Sequence, residues 1–390
     1  FSGQYFNADR NLQPSMNVNT QGDTQSDENL RMMVAFSQKL NKHEWEVKYA
    51  YLHDVIGFND DQTNSDQHVV RGKYNQQLSK AIRLNLGADY NFIKVQAPFY
   101  IEDNIEETRT NLWSSIMVNP VPRLILSVNL RQAFNPDYKI PFTSSFGSEY
   151  LAINSPSHQM TIKGSFAEGF RLPTLNERFW QPGGNPDIEP EESYSFEMGL
   201  DGTIKHNVEI NYDLTAYRMW VDNWILWVPG GVYWSPENIK EVDAYGMEAS
   251  GDIRHKIRGA SIKWMANYAL TRSINQTGLD SFDRSVGKQL AYVPVHKASF
   301  TALTNIKSWS FVMNASYTGK RYTTADNEEF LPAYTLLNLR IAKSFRWNKY
   351  QVNGCLSANN VLNTQYQSIE NKAMPGINFS AGITINYHKL

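Results

Sequence analysis

One cysteine, Cys355, stands alone in 390 residues, which excludes an intrachain disulfide framework. A free thiol on a strand is expected to be packed or lipid-facing. The sequence also lacks any run near the roughly 18 consecutive apolar residues that a membrane helix requires, and its mean hydropathy is −0.49. Charge of one sign is missing too. A formal net charge of −2 leaves no electrostatic footprint for nucleic acid. Phe1-Ser2-Gly3-Gln4 lacks the charged and apolar regions of a secretory signal, so the N-terminus of the whole protein is expected upstream. Catalytic signatures are absent as well. The eight His form neither H-E-x-x-H nor any paired metal spacing, and there is no G-x-S-x-G, Walker A or G-x-G-x-x-G. His43, His206 and His255 fall in short turns, where a solvated role is expected. No enzyme is expected.

What is abundant is aromatic: 13% of the residues, with 21 Tyr and 10 Trp. Rings at this density suit the aromatic girdles of a membrane barrel. The hydropathy argument against membrane helices does not touch barrels, because only alternate strand residues face lipid. The dominant period is two. From Ile82 to Phe92 the even positions are Ile82, Leu84, Leu86, Ala88, Tyr90 and Phe92, while the odd ones are Arg83, Asn85, Gly87, Asp89 and Asn91. Alternate side chains of a pleated strand point to opposite faces, so one face is apolar and the other polar. Val208 to Ala216, Leu337 to Ala342 and Phe379 to Tyr387 repeat the pattern. A soluble sandwich alternates as well. Globular strands, however, average about five or six residues, and these reach the roughly 9–11 that a membrane strand needs. Mid-strand Arg, Asp, Glu and Lys on the polar face suit a wet lumen.

Connections alternate in length. Short turns lie around Asn41-Lys42-His43, Lys80, Asn119 to Pro122, Asn154 to Ser157, Lys205-His206-Asn207, His255-Lys256-Ile257, Ser308-Trp309 and Asn348-Lys349. Long loops are expected near 59–67, 98–107, 135–140, 169–192, 228–238, 276–292, 324–332 and 363–377. Outer-membrane barrels have short periplasmic turns and longer extracellular loops. Trp309 and Trp347 sit beside short turns, where a periplasmic girdle belongs. Seventeen strands are expected from near Leu30 onward, including a polar one from Phe142 to Ala152, and Phe1 to Phe6 reads as the tail of another. The first full strand runs into a short turn. An even-numbered barrel that starts and ends on the periplasmic side therefore requires an odd number of further N-terminal strands, one for 18 or five for 22. Eighteen strands would enclose an open pore, whereas 22-stranded transporters have plugged lumens. Strand counting leaves both open.

The stretch Ser165-Phe166-Ala167-Glu168-Gly169-Phe170-Arg171-Leu172-Pro173-Thr174-Leu175-Asn176-Glu177 is followed by Gly184-Asn185-Pro186-Asp187-Ile188-Glu189-Pro190-Glu191 and Glu197-Met198-Gly199. Ala244 to Glu248, Val293 to Lys297, Ser357 to Tyr366 and Met374 to Phe379 follow in order. Together they resemble the signature of TonB-dependent outer-membrane receptors over about the C-terminal 230 residues. The signature positions are Phe170, Arg171, Pro173, Glu177, Asn185, Pro186, Pro190 and Glu191. The resemblance implies an all-β fold, a transmembrane antiparallel barrel of 22 strands, with residues 1–390 its C-terminal portion. It also implies an N-terminal plug and a coupling box for an inner-membrane TonB energy complex, neither of them within this sequence. The family usually ends on an aromatic residue. Here Tyr387 keeps the lipid-facing parity but is followed by His388-Lys389-Leu390.

The resemblance implies uptake of a scarce nutrient bound by extracellular loops, with outer-membrane lipid around the barrel. A surface lipoprotein is a further candidate partner. The family's haem receptors carry a His that the interval from Pro173 to Asn185 does not have. Cobalamin and ferric siderophores remain as ligands, and compact loops favour cobalamin. The alternative is a passive porin-like or structural barrel. Trp180, Trp227, Tyr233 and Trp234 are candidate ligand anchors, since rigid aromatics on loops bury area at low entropic cost. An aromatic belt or loop-on-loop packing would explain them equally. Arg171 and Glu177 read as rim scaffolding. No cofactor is expected. Asp60, Asp61 and Asp66 offer oxygen ligands for calcium, but the segment lacks the spacing of an EF-hand, and a solvated loop is the simpler expectation.

Overall fold

The computed structural model describes residues 1–14, 16, 22–230, 233–278 and 281–387. The strands, in chain order, are β1 (Ser2–Asn11), β2 (Thr24–Leu40), β3 (His43–Phe58), β4 (Asp61–Gln77), β5 (Ile82–Gln96), β6 (Asn104–Val121) and β7 (Leu124–Phe134). There follow β8 (Thr143–Asn154), β9 (His158–Arg171), β10 (Glu191–Lys205), β11 (Glu209–Gly230), β12 (Tyr233–Ile257) and β13 (Ala260–Asn275). Next come β14 (His296–Ile306), β15 (Trp309–Thr318), the two-residue β16 (Arg321–Tyr322) and β17 (Phe330–Leu331), β18 (Tyr334–Trp347), β19 (Tyr350–Asn359) and β20 (Asn378–Tyr387). A single helical turn, α1 (Leu175–Phe179), lies between β9 and β10.

Eighteen strands form one sheet in which each pairs antiparallel with its neighbour in sequence, while β16 and β17 pair with each other. The seventeen strands expected from Leu30 onward are β2 to β15 and β18 to β20. The tail at Phe1 to Phe6 is a full strand, β1, paired with β2 from Ser2↔Met33 to Asn11↔Thr24. Among the described residues β1 and β20 each have one partner, so both are sheet edges, and every residue of β20 is exposed.

Register separates two faces. Val34, Tyr49, Val70, Tyr90, Thr110 and Phe134 stand side by side across β2 to β7. The adjacent row is Ala35, Lys48, Arg71, Asp89, Asn111 and Ala133. The first row continues the apolar face of β5 and is the lipid side. The second is the luminal side, where charged side chains pair: Arg71 with Asp89, and Lys163 with Asp201 at 2.5 Å. Trp113 lies flat over Gly87 on this side, a position that any Cβ would block. Trp309, Trp347 and Tyr350 face outward beside short turns, where an interfacial girdle belongs.

Three expectations need correcting. Residues 59–67 are not a long loop: β3 and β4 continue to Phe58↔Asp61, joined by the two-residue turn Asn59-Asp60 with Asn59 at φ 52°. Most of 228–238 is likewise strand, because β11 and β12 run for 22 and 25 residues. Only Gly231-Val232 lies outside the described residues there. Cys355 pairs with Gly382 and Ala342 on the luminal parity, so its thiol does not face lipid. Polar segments above the membrane resemble loops in composition, yet their backbone ladder persists. Tyr387 faces outward opposite Tyr350 as expected, and His388-Lys389-Leu390 lie outside the described residues.

Candidate functional site at the extracellular mouth

At the long-loop end, the segment between β9 and β10 folds over the luminal face of β5 and β6. The local sequence explains its shape. Thr174 caps α1: its Oγ1 accepts the Glu177 N–H at 3.2 Å, while Glu177 Oε2 accepts the Thr174 N–H at 2.7 Å. This reciprocal box satisfies two donors that the first helical turn leaves orphaned. Pro173 is fully buried.

Arg171 and Glu191 stand opposite each other at the ends of β9 and β10. The guanidinium donates to both Glu191 oxygens at 2.6 and 2.7 Å, and to Glu177 at 3.1 Å. Glu191 Oε1 also accepts the Ile225 N–H at 2.9 Å. One fork thus ties β9, β10, α1 and β11 together, and a bidentate guanidinium–carboxylate pair fixes geometry as well as charge. Arg171 and Glu177, expected as rim scaffolding, are thus placed together in this fork. Phe170 lies under the Arg131 guanidinium at 4.9 Å.

The apolar underside of the cap packs on Ile93, Val95, Ala97 and Ile105, with Tyr100, Phe99, Leu175, Phe179 and Trp180 joining them. Each such aliphatic side chain, once buried, contributes roughly 1.5–3 kcal/mol. Backbone bonds lock the contact: Ile101 donates to the Phe179 carbonyl at 2.9 Å, and Gln181 to the Phe99 carbonyl at 2.7 Å. The Tyr100 hydroxyl donates to Asn176 Oδ1. Burial raises the Tyr100 phenol above its ordinary value.

Arg178 is buried and donates to Glu107 at 2.6 Å and to Asp137. Its guanidinium lies 4.5 Å from the Phe179 ring and 5.1 Å from the Tyr138 ring. Glu107, nearly inaccessible, also accepts from Arg109. The network ties the 135–142 and 172–190 loops to β6. Burial raises the Tyr138 phenol, and Arg178 opposes that shift. The sequence reading missed Arg178, Glu107 and Asp137. The available signal was the parity of Glu107, an acid two residues beyond the apolar Ile105 on the luminal side.

The long β11–β12 hairpin leans on the same cap. Asn185 donates to the Pro236 carbonyl at 3.0 Å, and Asn238 accepts from the Glu189 N–H at 2.6 Å and donates to its carbonyl at 2.8 Å. Gly183, at φ 126°, leaves room for the Trp234 carbonyl; a Cβ there would collide with it and touch Tyr233 at 3.7 Å. Pro186 is exposed and Pro190 half-buried beside these contacts.

The four candidate anchors do not form one cluster. Trp180 packs against Phe99 with ring centroids 4.3 Å apart, which is loop-on-loop packing. Trp227 stands opposite Pro236, and Trp234, two residues along, shares that face, whereas Tyr233 points to the other. Tyr233 and Trp234 are exposed at 52% and 61%, leaving Trp234 and the half-buried Trp227 as the open aromatic face of the hairpin. The calcium candidates also separate. Asp60 is in the tight turn and Asp61 starts β4. Asp66 accepts from Tyr51 at 2.5 Å and contacts His53 at 2.9 Å. Among the described residues no group of three or more His, Cys, Asp or Glu is placed to hold a metal ion.

Residues 1–361 match the family model described as TonB dependent receptor-like, beta-barrel. The vitamin B12 transporter BtuB of Photobacterium profundum is 24% identical over 293 residues, covering 72% of this chain and 45% of that protein. The iron-regulated outer membrane virulence protein of Vibrio cholerae serotype O1 is 25% identical over 232 residues, 52% of this chain and 34% of that one. The siderophore receptor PiuA from Acinetobacter baumannii superposes with a TM-score of 0.74 at 15% identity, over 94% of this chain and 65% of the other. The chain therefore spans less than half the length of the first of these relatives, and its likeness to the solved receptor is one of fold. A match over nearly the whole wall, with the signature loop seated in its mouth, makes this chain a member of the TonB-dependent receptor family, in its outer-membrane β-barrel domain.

Proposed function

We propose that the chain forms most of the barrel of an energy-coupled receptor that takes up a scarce nutrient, cobalamin or a ferric siderophore, across the outer membrane. The observation that carries this is the mouth: a signature loop folded inward over the luminal wall and locked by the Arg171 and Arg178 networks, beside a tall hairpin with exposed aromatics. A cap so fixed narrows the entrance, which suits capture of one ligand better than free diffusion. Trp227 and Trp234 are the proposed ligand-side rings. The vitamin B12 transporter of Photobacterium profundum matches over more of this chain than the iron-regulated protein, which supports cobalamin first. Further N-terminal strands and a plug would complete the receptor, and a TonB energy complex would act on that plug.

The test is binding and uptake of radiolabelled cyanocobalamin, and separately of a radiolabelled ferric siderophore, by cells making the full-length protein. Saturable binding that survives a protonophore, with uptake abolished by it, is expected for one of the two ligands. Uptake that rises linearly with concentration and ignores the protonophore would instead establish the passive barrel.

A further inference from the structure

The eight short turns carry a charge pattern that turn chemistry does not explain. Lys42, Lys80, Arg123, Arg258, Lys307 and Lys349 lie in six of them, and no Asp or Glu lies in any. All six side chains are exposed, and none has an ion-pair partner among the described residues. The acids nearest the Arg258 turn, Glu209 and Asp252, are already held by Arg254 at 3.1 and 3.0 Å. Backbone geometry makes the choice sharper. Asn41 and Asn348 occupy left-handed positions at φ 50° and 53°, as short polar residues do readily. Arg258 and Lys307 occupy the equivalent positions at φ 40° and 54°, where a long side chain is conformationally costly. At the opposite end, the two-residue turn Asn59-Asp60 carries an acid.

We propose that these turns form a basic ring that binds the phosphate groups of anionic phospholipids in the periplasmic leaflet of the outer membrane. The cations lie on both sides of the two adjacent turns that have none, 155–157 and 206–208, and so are spread along the described wall as lipid is, whereas a docked periplasmic protein would need its cations gathered on one arc. Outward-facing apolar side chains sit directly beside the cations: Leu40 by Lys42, Ile257 by Arg258, Ile306 by Lys307, and Trp347 by Lys349. All four are exposed. A bound amphiphile would lay its acyl chains on these residues with its phosphate at the turn. Lys343, 4.7 Å from the Trp309 ring, shows the same pairing of cation and girdle one step inside the membrane.

The test uses the purified full-length receptor in phosphatidylcholine bilayers containing spin-labelled phosphatidylglycerol or spin-labelled phosphatidylcholine. The fraction of each label immobilised at the barrel is read by electron spin resonance. Phosphatidylglycerol is expected to be preferred about fivefold at low salt, the effect of one interfacial cation per lipid, and the preference should collapse in high salt. The variant combining Lys42→Gln, Lys80→Gln, Arg123→Gln, Arg258→Asn, Lys307→Asn and Lys349→Gln should lose the preference while migrating as a folded barrel. A second variant with Lys→Arg at the four lysines should keep it, and it tests the idea even if the first does not assemble. A wild-type protein without the preference, a neutralised variant that retains it, or a preference indifferent to salt would overturn the proposal. So would a neutralised variant that loses a soluble periplasmic partner but keeps its lipid selectivity. Ligand binding at the mouth plays no part in the readout, so the receptor function and the lipid ring stand or fall separately.

Discussion

Replacing Arg178 by Met should open the cap without unfolding the wall. Arg178 is 6% exposed and its partner Glu107 4%, so the pair is desolvated on both sides. Removing one member of a buried pair costs about 3–5 kcal/mol, chiefly because the other charge is left behind. Here Glu107 keeps Arg109, and the Arg178 Nε lacks a partner in the native state, so the low end, about 3 kcal/mol, applies. The penalty falls on cap opening, because strands β5 and β6 keep every ladder bond. At about 1.4 kcal/mol per tenfold, 3 kcal/mol becomes a roughly 100-fold faster exchange of the Ile101 and Gln181 amides, which donate across the interface. Hydrogen exchange with mass spectrometry on peptides covering 97–103 and 172–190 reads this directly, with β5 and β6 peptides as the internal control. A cycle with Glu107→Gln should show coupling above about 1 kcal/mol. Unchanged exchange in the two loops, or equal acceleration throughout β5 and β6, would refute a cap held locally by this network.

The other expectations concern the same mouth. Thr174→Ala removes the cap of α1 and should cost about 1 kcal/mol, seen as a roughly fivefold faster exchange of the Glu177 amide with Glu191 contacts intact. Trp234→Ala should weaken ligand binding with little change in loop protection, whereas Trp180→Ala should loosen the 97–103 loop because its ring lies on Phe99; the reverse assignment would show the ligand face misplaced. Gly183→Ala forces a Cβ against the Trp234 carbonyl in a left-handed conformation, and limited proteolysis should then cut the β11–β12 hairpin faster. The Tyr100 phenol titrates above its ordinary value because it is buried. Its stabilising contribution is therefore complete below the ordinary tyrosine value and lost as pH rises through the raised one. Trp180 fluorescence should shift to the red in that alkaline window, and Tyr100→Phe should remove the step.

The wall was legible in the sequence because lipid on one side and water on the other impose a period of two. That pattern, with the alternation of short turns and long loops, led to the strand reading and gave the correct outward parity to Ile82 through Phe92 and to Phe379 through Tyr387. It failed where the physics that generates it stops. Above the hydrocarbon both faces are wet, so Asp61 to Gln67, Trp227 to Gly230 and Tyr233 to Asn238 alternate in nothing, although their backbones stay in register. The cap was legible only locally. The box from Thr174 to Glu177 has a fixed spacing, but Arg178 meets Glu107 across 71 residues and no periodicity links them. The aromatic candidates divide for a related reason: Trp227, Tyr233 and Trp234 are close in sequence, and strand geometry puts Tyr233 on the face opposite the other two.

The placement of the signature residues also says where ligand specificity can reside. Arg171 satisfies Glu177 and Glu191 together, Glu191 takes the Ile225 N–H, and Asn185 holds the Pro236 carbonyl. Each of these polar groups is committed to backbone or to another signature residue. A ligand that competed for the Arg171 fork would have to break part-buried charge-assisted bonds, at a cost of about 1.5–3 kcal/mol for each. The residues that identify the family therefore fix the mouth and leave its chemistry unspecified. On the proposed receptor function, discrimination among nutrients would fall to side chains that the scaffold exposes but does not use, such as those on the Trp234 side of the β11–β12 hairpin. Exchanging that hairpin between receptors with different ligands should therefore transfer preference, while exchanging the segment from Arg171 to Glu191 should not.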